Sequence, residues 1–317
     1  MLRYTLRRLL WLPVILLVVS LVAFIMLRGL PGQDPVDVIL LGPGATEEQK
    51  QQVREQLGLD KPIWEQYLMW LGDAVRGDFG QSFETNRDIR DEFFDRFPLS
   101  FQLMLMSAVI TAIVGIAFGI LSALYRNRGP DYGVRAVAVV SASVPSFFLL
   151  TLLIVIPSYL WNYSMPVGGD FGLLEDPWRN VRLLGPPAII LGVAGAAGLM
   201  RLVRTTMLET LRADYVRTAH AKGLPGHDVV LGHALRNSAI PILTALGAEF
   251  ILLFGGSIIA EQVLSIRGVG EWFFTASLKR DLPVMQFLVV YTATLVVLVN
   301  LIVDLSYAVA DPRIRYS

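Results

Sequence analysis

The chain reads as an all-α polytopic membrane protein with six transmembrane helices, and three features say so. Charged residues make up 17% of its 317 residues and apolar ones 54%, with a mean hydropathy of +0.55. A soluble domain carries about 25% charged residues, so much of this surface faces a medium other than water. Uncharged apolar stretches recur along the chain, each near the roughly 20 residues that a spanning helix needs. Arginines gather in alternate connecting segments, which is how charge sorts across a bilayer.

Residues 9–27 carry no charge and come after Arg3, Arg7 and Arg8. That stretch exceeds a signal-peptide core of about 7–15 residues. Leu30-Pro31-Gly32 succeeds it rather than a small-residue cleavage site, so it is an uncleaved first span. Residues 97–125 form the second span and 136 to about 160 the third, with Pro145 and Pro157 inside it. Residues 187–202 form a glycine-rich fourth, 239–260 the fifth and 284–309 the sixth. Arg3, Arg7 and Arg8, then Arg126, Arg128 and Arg135, then Arg204, Arg212, Arg217, Lys222 and Arg236, then Arg313 and Arg315 all fall on one side of six spans. The positive-inside rule makes that side cytoplasmic, with both termini inside. The resulting organisation is a cytoplasmic N-terminus and first helix over 1–30, an external helical segment over 31–96, a five-helix core over 97–309 and a cytoplasmic tail over 310–317. Trp161, Tyr163, Trp178 and Trp272 lie near external ends, where aromatic belts are expected.

The external segment between the first two spans has its own structure. Thr46 with Gln49 fits a capping box and Gly58 a stop. A second helix begins near Pro62, with Trp64, Tyr67, Leu68, Leu71 and Val75 on one face. Ile89, Phe93, Phe94 and Phe97 continue an apolar stripe into the second span. Such a surface either receives an external partner or packs as a cap on the bundle or in the membrane interface.

The spans hold few polar groups. Glu249 lies about ten residues into the fifth span, near the midplane at about 1.5 Å per residue. An intramembrane carboxylate faces a cavity or a partner. Glu249, Pro145 and Phe147 are the candidate residues of a translocation cavity, while the prolines could equally bend a packed helix. Asp304, near the cytoplasmic end of the sixth span, is a structural partner for Arg201, Arg204 or a loop amide; Glu261, near an external end, needs no special account. Gly192, Gly195 and Gly198 recur every third residue and let helices approach closely, as do Gly255 and Gly256.

Several chemistries are excluded or disfavoured. The absence of cysteine removes disulfides and thiolates. There is no G-x-x-x-x-G-K-[ST] loop, so this chain does not itself hydrolyse ATP. His220, His227 and His233 have no helical ligand spacing, and no metal site or cofactor is expected. A net charge of +0 means that a global field says nothing about partners, and no nucleic acid is expected among them.

The cytoplasmic segment 203–238 is long for a connecting loop and reads as a helix–turn–helix that turns at Gly223, with Pro225 and Gly226 preventing continuation. Within it, Asp214-Tyr215-Val216-Arg217-Thr218-Ala219-His220-Ala221-Lys222-Gly223-Leu224 and then His233-Ala234-Leu235-Arg236-Asn237 resemble the signature loop of bacterial ABC import permeases, of the dipeptide/oligopeptide/nickel family. Leu57-Gly58-Leu59-Asp60-Lys61-Pro62 with Tyr67, Gly77-Asp78-Phe79-Gly80-Gln81-Ser82 and Asp311-Pro312-Arg313-Ile314-Arg315 resemble the same family. The general pattern opens with Glu-Ala-Ala where Arg217-Thr218-Ala219 stands here. Gly223 matches its glycine, and His233-Ala234-Leu235-Arg236 replaces its Ile-x-Leu-Pro ending, in keeping with the peptide-type variant.

The resemblance implies a type I importer permease in a bacterial cell membrane. It implies a second homologous permease, two cytoplasmic ABC ATPases that carry ATP and Mg, an external solute-binding protein and a peptide cargo. It places the ATPase-docking role on Asp214, Tyr215, Arg217, Thr218, Ala219, Lys222, Gly223, Leu224, His233, Arg236 and Asn237. A nickel or other small-solute importer is the alternative within the family. A secondary transporter using Glu249 as a proton carrier would predict inverted repeats, which the sequence lacks. A membrane scaffold would leave the long basic loop unexplained.

Overall fold

The computed structural model describes residues 2–29, 36, 47–56, 59–164, 167–168, 172 and 176–310. Its helices run α1 (Leu2–Gly29), α2 (Glu47–Gln56), α3 (Ile63–Val75), α4 (Ile89–Leu124), α5 (Gly129–Ser143), α6 (Ser146–Trp161), α7 (Pro177–Thr210), α8 (Asp214–Ala221), α9 (Gly226–Asp228), α10 (Ala239–Leu264), α11 (Val269–Lys279) and α12 (Leu282–Ala310). A π-helix, Val229–Leu235, continues α9. An isolated antiparallel bridge pairs Gln81 with Asp88. Five helices are long and apolar enough to cross a membrane, and the bent pair α5–α6 raises the number to six.

The span expectations hold with longer helices and one correction. The fourth span extends from the expected core to Pro177–Thr210, because Asp176 caps its first turn by accepting from the Arg179 amide. The third span is not one helix. Pro145 cannot donate the bond that would continue α5, and the chain turns by 89° between α5 and α6. The capping-box residue Thr46, the Gly58 stop and the tail motif 311–315 lie outside the described residues.

α4 and α7 form the spine of the bundle, held close by glycines. A Cβ at Gly115 would stand 2.6 Å from Leu199 Cδ2, at Gly119 2.6 Å from Val203 Cβ, and at Gly192 2.7 Å from Ile110 Cβ. No side chain fits in those notches, so the backbones pack at van der Waals contact. Gly256 approaches Leu191, whereas among the described residues nothing lies within 4 Å of a Cβ built at Gly255.

The two ends of the bundle differ. At the basic end, Ala123, Val203, Met207, Ala234 and Ile242 join α4, α7 and α10 to the π-helix. At the opposite end, Ile89, Val269, Trp272, Val284 and Phe287 pack together, with Phe79, Phe93 and Phe97 against them. Trp272 is therefore a core residue rather than part of an aromatic belt, while Trp161, Tyr163 and Trp178 are exposed as a belt requires. Phe94 leaves the stripe and points outward.

The motif 77–82 is part of that far-end core. Ser82 Oγ donates to Asp281 Oδ2 at 2.6 Å, Lys279 pairs with Glu84, and Phe79 meets Phe287 edge-on. α3 lies across α1, where Tyr67 stacks near Trp70 and Phe24 and its hydroxyl lies 3.0 Å from Ser20 Oγ. Of its expected apolar face only Tyr67 is buried; Trp64, Leu68 and Val75 face outward.

Candidate coupling loop and translocation path

The loop at the basic end is a folded lever. α8 begins at Asp214, and its inward residues Val216 and Ala219 pack with Val229 and Leu211. Ala219 thus anchors the helix rather than offering a side chain. The outward face carries Asp214, Tyr215, Arg217, Thr218, Lys222 and Leu224, all exposed. Arg217 lies 3.5 Å from Asp214, and Thr218 Oγ1 donates to the Asp214 carbonyl.

α8 stops at a glycine for a backbone reason. Gly223 has φ +81, its amide donates to His220 O at 2.9 Å, and the Leu224 amide donates to Ala219 O at 3.3 Å. These are the two bonds of a Schellman cap, which needs a left-handed residue at its centre. Pro225 opens the next turn, and the segment Val229–Leu235 then winds as a π-helix. Single π-turns occur often at functional sites, where the extra residue reorients the next stretch of helix. His233, Arg236 and Asn237 stand exposed on that return limb, and Asn237 Nδ2 donates to His233 O. Ala234 and Ser238 point inward, with Ser238 Oγ 3.1 Å from Thr210 Oγ1. Both limbs are thus joined rigidly to α7 and α10.

One buried ion pair braces the base of this lever. Asp131, with no exposed surface, faces Arg204 in a two-pronged geometry in which Nε and Nη2 each donate at 2.8 Å. Ser122 Oγ and the Asn127 amide also donate to the same carboxylate. Arg204 therefore pairs with Asp131 and not with Asp304. Spacing between an aspartate in the first turn of one span and an arginine in the next gives no local signal, so the pair was not visible in the sequence. Glu261 also proves structural. Fully buried, it accepts from Ser100 Oγ at 2.7 Å and from the amides of Gly270 and Glu271, which caps the start of α11.

Glu249 lies on the side of α10 that faces α7. A Cβ at Gly195 would stand 3.2 Å from Glu249 Oε2 and 3.0 Å from Thr111 Oγ1, and one at Gly198 would stand 3.3 Å from Oε1. The carboxylate thus fills a notch that two glycines leave open. Among the described residues it has no hydrogen-bond or ion-pair partner, and it is half-buried. Pro145 and Phe147 are exposed at the α5–α6 break.

Known proteins match this sequence over most of its length. The family described as "Binding-protein-dependent transport system inner membrane component" matches residues 115–316, and its N-terminal counterpart matches residues 1–104. A glutathione transport system permease protein of Escherichia coli is 39% identical over 316 residues, 100% of each chain. A protein of Brucella abortus named as a putative peptide transport system permease is 36% identical over 302 residues, 95% of each chain. The chain therefore belongs to the binding-protein-dependent inner membrane components, the multi-pass permease subunits of ATP-binding-cassette importers, which work with a binding protein and an ATPase rather than hydrolysing ATP themselves.

Proposed function

We propose that the chain is the permease for a peptide cargo, with its basic end in the cytoplasm and both termini inside. Hydrolysis of ATP with Mg belongs to two ATPase subunits, and a second homologous permease completes the path. The observation that carries the reading is the coupling loop: a rigid helix–turn–helix whose exposed face, Tyr215, Arg217, Lys222 and Leu224 among others, stands clear of the bundle while its inner face is locked to α7 and α10. Such an element can lie in a groove on a soluble partner and convert its rigid-body movement into helix displacement. The peptide assignment rests on the full-length relatives named for peptide and glutathione transport. Glu249 faces the path and, with Pro145 and Phe147, lines it.

The test is binding-protein-dependent ATP hydrolysis by the reconstituted complex. Di- to pentapeptides are expected to stimulate it and nickel salts or complexes to leave it at the basal rate. Stimulation by nickel alone would transfer the chain to the alternative cargo class.

A further inference from the structure

The break between α5 and α6 leaves backbone polar groups open. The Val144 amide takes the Val140 carbonyl at 3.2 Å, and the Phe148 and Leu149 amides both take the Pro145 carbonyl. Pro145 has no N–H to give. Among the described residues, no donor reaches the carbonyls of Ser141, Ala142, Ser143 or Val144. The same stretch is open to its surroundings: Ala142, Ser143 and Phe147 are exposed along it.

Its depth makes this unusual. Ala138 packs with Ala196 and Ala197 on α7, beside the Gly195 and Gly198 notch that holds Glu249. The end of α5 at Ser143 lies about 8 Å further along, at 1.5 Å per residue. The break is therefore near the middle of the spans. Unpaired carbonyls do not survive against lipid there; irregular backbone at that depth either is buried in protein or lines water. The break sets the partially negative carbonyl end of α5 beside the partially positive amide end of α6, so the two end charges oppose one another and the Glu249 carboxylate, about 8 Å off in depth, supplies the net negative charge.

We propose that the α5–α6 break lines the aqueous path and that the carbonyls of residues 141–144 accept hydrogen bonds from the N–H donors of the passing cargo, its ammonium end foremost. This rests on the peptide reading above and gives it a mechanism. Main-chain carbonyls facing a peptide's main-chain N–H groups recognise what all peptides share and ignore their side chains. The Glu249 carboxylate, near the same depth, favours the amino-terminal end of the cargo.

The sequence contains no cysteine, so Ser143→Cys gives this chain one reactive site, and labelling is read on this chain after the subunits are separated. In the full complex in liposomes, a cationic aminoethyl methanethiosulfonate is expected to label it about tenfold faster than the anionic sulfonatoethyl reagent, the lower end of what one-signed clefts do to local ion concentration. A saturating free tripeptide should reduce labelling to background, and the N-acetylated tripeptide should protect less. Pro145→Ala supplies the amide that closes onto the Ser141 carbonyl, and should abolish tripeptide uptake by a complex that still assembles. Failure to label, equal rates for the two reagents, or labelling indifferent to tripeptide would overturn the proposal, as would wild-type uptake by Pro145→Ala. Tripeptide-stimulated ATP hydrolysis in the same vesicles separates the two readings. If stimulation persists while labelling is unprotected, only this inference fails; if both are absent, the peptide reading fails with it.

Discussion

Replacing Asp131 with alanine removes the acceptor for four donors at once: two nitrogens of Arg204, the Ser122 hydroxyl and the Asn127 amide. The Arg204 side chain is 21% exposed, so its orphaned charge regains little water. Breaking a buried pair from one side costs about 3–5 kcal/mol. The pair sits at the end of the bundle and Arg204 keeps that fraction of exposure, so we take the lower bound, about 3 kcal/mol, or roughly two decades in the folded-to-unfolded ratio. Much of that loss is the stranded guanidinium. Removing both charges, Asp131→Ala with Arg204→Met, should therefore recover at least half of it. The assay is a double-mutant cycle on the purified chain in detergent, with denaturation as the primary readout and transport as the second. A coupling energy below about 0.5 kcal/mol, the scale of an exposed pair, would refute the claim that this contact braces the lever.

The geometry fixes three further outcomes. Gly223→Val places a β-branched residue at φ +81, which strains the turn by about 1–2 kcal/mol or more although its Cβ would touch nothing; the chain should insert normally while cargo-stimulated ATP hydrolysis disappears, and retained stimulation would contradict the docking role. Glu249→Gln should shift the preference between cationic and anionic peptides without lowering the amount of assembled complex, and an unchanged cargo profile would show that the carboxylate only packs the Gly195–Gly198 notch. Burial raises the pKa of Asp281 above the ordinary aspartate value of about 3.9. The sign is then fixed: its folded form binds the proton more tightly, so this contact stabilises most below that value and weakens as pH rises through the raised one. The stability of Asp281→Asn relative to the unsubstituted chain should accordingly grow with pH, and a flat difference would rule the effect out.

How much of the structure was legible in the sequence depended on the range of the signal. Periodicity and charge gave the spans and the helix–turn–helix, because hydropathy and the demand for a left-handed residue at Gly223 are local properties. The Pro62 helix start was equally local. What failed was long-range. The partner of Arg204 could not be read because Asp131 and Asp304 are both plausible by depth, and only packing decides between them. Glu261 looked like an ordinary residue near a helix end, yet it caps a helix that starts eight residues later. Pro145 announced a kink, but whether it would bend a span or break it by 89° is decided by packing that the local sequence does not contain. In the candidate site, the outward set from Tyr215 to Leu224 was visible as a motif; the division of labour between those residues and the inward Val216, Ala219 and Val229 was not, since α8 spans only eight residues.

The coupling role depends most directly on whether the exposed face of α8 meets an ATPase subunit. Leu224→Cys places a single thiol on that face, and Arg76→Cys places a control just after α3 at the opposite end. In the complete complex, a bifunctional thiol reagent should join the Leu224→Cys chain to an ATPase subunit carrying its own single cysteine, and should stop cargo uptake until a reductant releases it. Arg76→Cys should give no such product. Absence of the Leu224→Cys product, or uptake that continues at full rate while the two subunits are joined, would contradict the claim that this loop carries the motion of the ATPase into the spans.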